Sequence, residues 1–272
     1  MQVAGLLAAP LAWIGLAYLG SLGILLLNAF WIQDSFSGKV VPTFTLGSFE
    51  RLATVEIYRT IAGRTILMAV AVTLTDVLLA FPIAYYMARV ASPRMRGLLV
   101  IAVLMPLWAS YLVKVYAWRS ILQGHGLLDW LLAPLGISGP GLREVSNSWI
   151  VLSYLWLPYM ILPIYAGLER LPPTLLEASV DLGARAGTTF RRVILPLVFP
   201  AVVAGSIFTF SLTLGDYITP TMVSSTKFIG NVIYDNSSLG SLPLAAAFSF
   251  VPIVIMIGYL LVARRLGAFE SL

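Results

Sequence analysis

Six long apolar blocks run through this sequence, and they exclude a soluble fold. They span about Leu6–Phe30, Thr65–Ala88, Leu98–Trp118, Trp149–Leu168, Leu197–Thr219 and Leu242–Ala263. A helix that crosses a bilayer needs about 20 mostly apolar residues, and each block supplies them. Only 11% of the chain is charged and 59% is hydrophobic, whereas soluble domains carry roughly 25% charged residues. The blocks are apolar nearly all round and show no strand-like alternation, so the expected class is an all-α membrane protein and not a β-barrel. Six helices with short connections consume nearly all 272 residues, leaving no room for a separate soluble domain. The first block has no basic leader and no small-residue cleavage site, and it is too long for a signal-peptide core. It is expected to be a retained helix. Residues 1–64 thus read as a first helix with an extracytoplasmic loop, and residues 65–272 as a five-helix core.

Basic residues set the expected orientation. Arg89, Arg94 and Arg96 crowd the second-to-third connection; Arg170, Arg185, Arg191 and Arg192 lie between helices four and five; Arg264 and Arg265 follow the last helix. The other connections are longer and more dilute, and Lys39, Arg51, Arg59 and Arg64 are offset by Asp34, Glu50 and Glu56. The positive-inside tendency places both termini in the cytoplasm. Trp31, Trp118, Trp149 and Tyr259 fall where interfacial aromatic belts are expected. The net charge of +5 serves topology and gives no reason to expect nucleic acid. Without cysteine there is no disulfide and no thiolate metal site. The lone histidine, His125, stands in a Gly-His-Gly turn and reads as structural, so neither a metal nor a cofactor is expected in this chain.

The most informative stretch joins helices four and five, across residues 171–196. Pro172 and Pro173 stop helix four, and Thr174 stands three residues before Glu177, the spacing of a capping box. A short helix from Leu175 to Leu182 is expected, closed by Gly183, where a left-handed turn costs little only for glycine. A second short helix is expected from near Thr188 to just before Pro196. This hairpin is too polar to span, and its charges (Glu177, Asp181, Arg185, Arg191, Arg192) suit a protein partner. On these grounds alone, an amphipathic loop lying on the membrane fits equally well.

The spacing Glu177-Ala178-Ser179, three residues, Gly183, nine residues, Val193, one residue, Leu195-Pro196 resembles the signature of inner-membrane permeases of binding-protein-dependent ABC importers. That pattern reads EAA, x3, G, x9, I, x, LP; Ser179 and Val193 depart from it conservatively. Phe81-Pro82-Ile83-Ala84-Tyr85, Pro106-Leu107-Trp108, Tyr116-Ala117-Trp118-Arg119 and Leu214-Gly215-Asp216-Tyr217 look like the spermidine/putrescine subclass. The resemblance implies a type I importer permease fold, with the motif's short helix as a coupling helix that docks on an ATPase subunit. Glu177, Ala178 and Gly183 would carry that role, with Ser179, Asp181 and Arg185 beside them. It also implies a second permease (similar or identical), a pair of ATPase subunits, an extracytoplasmic solute-binding protein and a bacterial inner-membrane location. The chain has three lysines, Lys39, Lys114 and Lys227, and none follows the glycines of a phosphate-binding loop. ATP hydrolysis is therefore expected in a separate subunit.

Ionisable residues at membrane depth are costly and mark functional candidates. Asp76 lies midway along helix two, Lys114 near the outer end of helix three, and Asp216 towards the outer end of helix five. Lys114 fits snorkelling to the interface as well as a solute path; Asp76 fits a structural pairing as well. Asp216, between Gly215 and Tyr217 and shortly before Pro220, predicts a broken helix, which is tolerated where backbone lines a cavity. Trp108, Tyr111, Tyr116, Trp118, Tyr154, Trp156 and Tyr159 cluster on the same outer half, as core and belt or as a cation–π lining for an amine. Glu56 and Arg59 are expected ahead of helix two, in solvent. The expected cargo is a small organic solute, with a polyamine foremost and an opine, amino-acid derivative or phosphonate as alternatives. A secondary transporter would show repeated halves, and an intramembrane enzyme would need a histidine or metal constellation; the sequence shows neither.

Overall fold

The computed structural model describes residues 10–34, 37–124, 126–135, 141 and 144–265. His125 and the first four residues of the first apolar block lie outside them. The chain forms α1 (Pro10–Phe30), a minimal antiparallel pair β1 (Ile32–Gln33) and β2 (Val40–Val41), α2 (Gly47–Thr54) and α3 (Glu56–Val90). There follow α4 (Pro93–Trp108), α5 (Tyr111–Leu122), α6 (Leu127–Leu132) and α7 (Val145–Glu169). The last five are α8 (Pro173–Asp181), α9 (Ala186–Gly215), α10 (Ile218–Val223), α11 (Ile229–Ser238) and α12 (Leu242–Arg265).

Five of these helices, α1, α3, α7, α9 and α12, are each long and apolar enough to cross a membrane. The sixth expected span, Leu98–Trp118, is not one helix. It is α4 and α5, bent by 93° across Ala109 and Ser110. Hydropathy reads through this break because both sides of it are apolar. Glu56 and Arg59 are exposed as expected, but they lie in the first turns of α3 and not ahead of it.

The core is a three-helix unit of α3, α7 and α9. Small residues let α7 and α9 approach closely, as apolar helices in lipid require in the absence of a hydrophobic drive. A Cβ on Gly205 would lie 2.8 Å from Met160 Sδ, and one on Gly167 would lie 2.7 Å from Ala201 Cβ. Ala80, Ala84, Met87, Met160, Ile164, Leu168 and Val198 fill one end of the unit; Met68, Val72, Val151, Leu152 and Leu155 fill the other. Polar side chains inside are mostly paired locally. Ser206 Oγ meets Tyr259 OH at 2.5 Å, and Thr213 donates back to Thr209 O at 2.7 Å. α12 joins through α11, α2 and the end of α1, where Ala29 is buried with Ala246 and Ala247, while the apolar window of α1 buries nothing within the chain.

Candidate functional site at a broken-helix junction and a polar hairpin

The hairpin forms where the motif lies, by a different local route. α8 begins at Pro173 with Pro172 at the N-cap, and no side chain caps it. The expected Thr174–Glu177 capping box is not made. Proline at the first helical position has no N–H to satisfy and a φ already suited to the helix, so the prolines start the helix two residues earlier than a Thr174 cap would. Gly183 has φ +75°, as its position required. Its N–H donates to Val180 O at 2.8 Å, and Ala184 N–H to Ser179 O at 3.0 Å. Ser179 and Thr189 are buried, and their hydroxyls meet at 2.8 Å, fastening the arms together. The second arm does not stop before Pro196. It is the start of α9 and runs on to Gly215. A π-helical turn at Phe190–Ile194 leads into Leu195 and Pro196, which places the proline where the hydrogen-bond register is already shifted. The tip presents Glu177, Ala178, Val180, Asp181, Leu182 and Arg185 to the outside; Leu182 is 88% exposed. Among the described residues Glu177, Asp181 and Arg185 have no ion-pair partner.

At the far end of the core two helix breaks meet. α4 ends at Ala109 (ψ 141°) and α9 at Asp216 (ψ 121°), and no backbone N–H caps either C-terminus among the described residues. Pro106 sits in the last turn of α4. Asp216 then starts the next helix. Its Oδ1 accepts the N–H groups of Ile218 (2.9 Å) and Thr219 (3.1 Å), the work of an N-capping carboxylate. Its Oδ2 accepts the hydroxyls of Thr219 (2.7 Å) and of Tyr111 (2.5 Å), the first residue of α5. One carboxylate thus ties both breaks together. Its charge has no ion-pair partner among the described residues. The Tyr111 ring stacks on Trp156 (centroids 6.0 Å, 13° between planes), and Trp156 continues to Tyr159 and Phe208. A cavity of about 400 Å³ opens here, lined by Tyr111, Trp156, Ser211, Gly215, Asp216 and Tyr217 among others.

α11 holds the junction from above. Ile229 N–H donates to Thr65 Oγ1 of α3 (3.0 Å), and Asn231 Nδ2 donates to Tyr217 O (2.8 Å) and Thr221 Oγ1 (2.7 Å). Gly230 packs so tightly that a Cβ would lie 2.7 Å from Gly215 O. Tyr234 stacks on Tyr217 at 4.5 Å.

Of the residues expected on a solute path, Tyr111, Asp216 and Tyr217 come together at the cavity. Lys114 shares a face of α5 with Tyr111, one turn along, and has no ion-pair partner among the described residues. Trp108 ends α4, 89% exposed, and does not line the cavity. Asp76 lies inside the three-helix core, fully buried, with neither carboxylate oxygen hydrogen-bonded to a described group. Sequence reasoning missed Thr219, Asn231 and Thr65. The first had a signal: an Asp three residues before a Thr, at a break, is N-cap spacing. The other two act through long-range backbone contacts that no local pattern announces.

A bundle of membrane-spanning helices with a polar hairpin between two spans and a cavity at a helix break is the architecture of a membrane transport subunit. Over residues 80–269 the chain matches the family described as binding-protein-dependent transport system inner membrane component. It is 47% identical to the inner membrane ABC transporter permease protein YdcU of Escherichia coli (strain K12), over 98% of this chain and 90% of that protein. The spermidine/putrescine transport system permease protein PotB of the same organism is 31% identical over 88% of each chain. In fold it is similar to a chain of a bacterial ABC transporter involved in the import of the acidic polysaccharide alginate. That match has a TM-score of 0.74 and 18% identity, covering 97% of this chain and 95% of the other. The chain belongs to the binding-protein-dependent transport system inner membrane component family. It has the type I importer fold and is the permease subunit of an ABC importer, with ATP hydrolysis belonging to a separate subunit.

Proposed function

We propose that this permease carries a small organic cation, a polyamine or a relative of one, through a path that opens at the Tyr111–Asp216 junction. The observation that carries this reading is electrostatic. A carboxylate with no ion-pair partner among the described residues sits where two helices end with no backbone N–H cap among those residues. A helix C-terminus is equivalent to roughly half a negative charge, but at each break the N-terminus of the next helix, α5 or α10, offsets it, so the charge that favours a cation is that of Asp216. The faces of Tyr111 and Trp156 contribute about 0.5–2 kcal/mol each towards an ammonium group. All four acceptor positions of Asp216 are filled by its own chain, so it acts on the solute through its field and leaves the direct contacts to rings and carbonyls. Such an arrangement attracts a cation without trapping it. The PotB relatives support the same class.

The hairpin tip, residues 177–185, is in this reading the contact with the ATPase subunits. A second permease covers the unburied face of α1, and a solute-binding protein delivers cargo at the junction end. The hairpin end and both termini face the cytoplasm. The core begins with α3 at Glu56 and not at residue 65, the residues before it add the outer helix and loop, and no cofactor is needed in this chain. One observation favours a second reading: Lys114, half-buried beside Tyr111 with no ion-pair partner among the described residues, suits an anionic or zwitterionic solute. Uptake of labelled putrescine and spermidine by the reconstituted importer separates the two. Asp216→Asn should lower uptake about tenfold, the scale of one unit charge acting over about 10 Å at an effective dielectric of about 20, while Lys114→Ala leaves it or raises it. Loss of uptake with Lys114→Ala and none with Asp216→Asn would favour the anionic solute.

A further inference from the structure

The junction between α7 and the hairpin has a backbone defect that another helix repairs. In α-helical register, Leu168 O would accept from the N–H of residue 172 and Glu169 O from that of residue 173. Both positions are proline and have no N–H. Leu168 O keeps a bond of 3.3 Å from Leu171 N–H. Leu171 O has lost its partner too, because Leu175 N–H turns to Pro172 O. Arg89 fills both places: its Nη2 donates to Leu168 O at 2.5 Å and to Leu171 O at 2.7 Å. Arg89 stands on a π-helical turn at the end of α3, a geometry that recurs at functional positions. Arg96 of α4 clamps the same turn, donating from Nε to Met87 O (3.1 Å) and from Nη2 to Ala88 O (3.0 Å), and its Nη1 lies 3.5 Å from Glu169 Oε1.

From this we infer that Arg89 is the positioning residue that passes displacement of the hairpin to α3, and through α3 to the outer junction. The hairpin's first arm leaves the core at Pro172, and the last carbonyl before it is held by α3, not by α7 alone. α3 is 35 residues long, and from Arg89 to Thr65 it rises about 36 Å. At Thr65 it holds Ile229 N–H, next to Gly230, which packs on the Gly215–Asp216 backbone. Every step is a directed hydrogen bond, a continuous helix or a contact too tight for a Cβ. The inference rests on the hairpin being the ATPase contact.

The chain has no cysteine, so a single Ser211→Cys probe in the cavity reports its access cleanly. In the complete importer in proteoliposomes, maleimide labelling of this probe is measured with and without ATP and vanadate. The backgrounds are parental, Arg89→Lys, Arg89→Met and Gly183→Val. Arg89→Met should reduce the nucleotide-driven change in labelling by about tenfold, within the range single residues impose on coupling. Vanadate-trapped nucleotide should stay at the parental amount, and Arg89→Lys, with its single point of donation, should fall between. A parental change in Arg89→Met overturns the proposal. So does a parallel loss of trapping and labelling change, or failure of both Arg89 variants to assemble, since each makes the residue merely structural. If Gly183→Val also keeps the parental change, the hairpin reading has failed, and the Arg89 results then refer to some other contact.

Discussion

Two residues show how much rests on one backbone angle or one side chain. Gly183 holds φ +75° with nothing within 4 Å of where a Cβ would be. Conformation alone, not space, demands glycine there. The left-handed region costs an L-residue about 1–2 kcal/mol, less for Asn, whose side chain bonds locally. We therefore expect Gly183→Asn to copurify with the ATPase subunits at near-parental yield and Gly183→Val to lose them. Equal yields from the two would show that the turn does not shape the contact. At the other end of the core, Tyr111 bears two roles that separate cleanly. Its hydroxyl donates to Asp216, and its ring stacks on Trp156. Tyr111→Phe keeps the ring and should cost about 1 kcal/mol for the lost hydrogen bond, read as a small drop in melting temperature with uptake reduced only a few-fold. Tyr111→Leu removes the stack as well and should fall further in uptake. If the two variants transport alike, the aromatic face contributes nothing to the solute.

At the scale of elements, the core helices are held by close approach more than by polar pairing. A Cβ on Gly205 would meet Met160 and one on Gly215 would meet nothing within 4 Å, so the same substitution should have different outcomes at these two positions of α9. Gly205→Ala forces α7 and α9 apart, and overpacking of this kind costs about 1–3 kcal/mol. Gly215→Ala should leave thermal unfolding in detergent unchanged, and a large shift there would mean that α9 is tighter at its end than the structure shows. The existence of these helices was legible in the sequence, because five blocks of apolar residues became five unbroken spans. The break after Gly215 was legible too, since a glycine and a carboxylate interrupt an apolar run before Pro220. The break at Ala109–Ser110 was not. Ala, Ser and Tyr carry no strong propensity there, and Pro106 alone is tolerated inside α4 much as Pro158 and Pro163 are inside α7. The capping box failed for a related reason: Thr174 and Glu177 have the right spacing, but Pro173 starts the helix first. The hairpin's second arm ran through Pro196 because a π-helical turn precedes it, a feature set by packing and not by composition. At the junction the sequence pointed to Asp216, Tyr217 and Tyr111. It left out Asn231 and Thr65, which sit 15 and 151 residues from Asp216 in the chain and meet its surroundings only through the fold.

For the whole molecule, the two ends of the bundle differ in charge as well as in structure. Arg89 and Arg96 reach the end of α7 through their hydrogen bonds, and Arg185, Arg191 and Arg192 follow in the hairpin. Arg264 and Arg265 close α12, whose Ala263 packs on Val203 of α9. These groups converge on one end although they come from three separate connections. The opposite end mixes signs: Lys227 pairs with Asp235, and Glu50 and Arg51 share α2. Arginine and lysine held near span ends resist translocation, and acidic residues contribute little to that bias. The hairpin end is therefore expected in the cytoplasm, with α3, α7 and α12 running inward and α9 outward. The broken α4–α5 pair complicates this, because α5 turns aside by 93° and α4 alone makes most of the crossing. At 16 residues and 1.5 Å per residue, α4 spans about 24 Å, short of the roughly 30 Å hydrocarbon thickness. The bend therefore falls below the outer interface, and Lys114 on α5 lies near enough to reach water. Reporter fusions test the arrangement directly. Fusions at Arg94 and Arg185 should read cytoplasmic, and fusions at Ser48 and Leu239 extracytoplasmic. A fusion at Arg119 should read with the second pair, since one full crossing separates it from Arg94. An extracytoplasmic signal at Arg185 would place the hairpin away from any ATPase and remove the coupling role. A cytoplasmic signal at Arg119 would instead make α4 and α5 a re-entrant loop, and because α7 crosses once between that loop and the hairpin, Arg185 would then have to read extracytoplasmic.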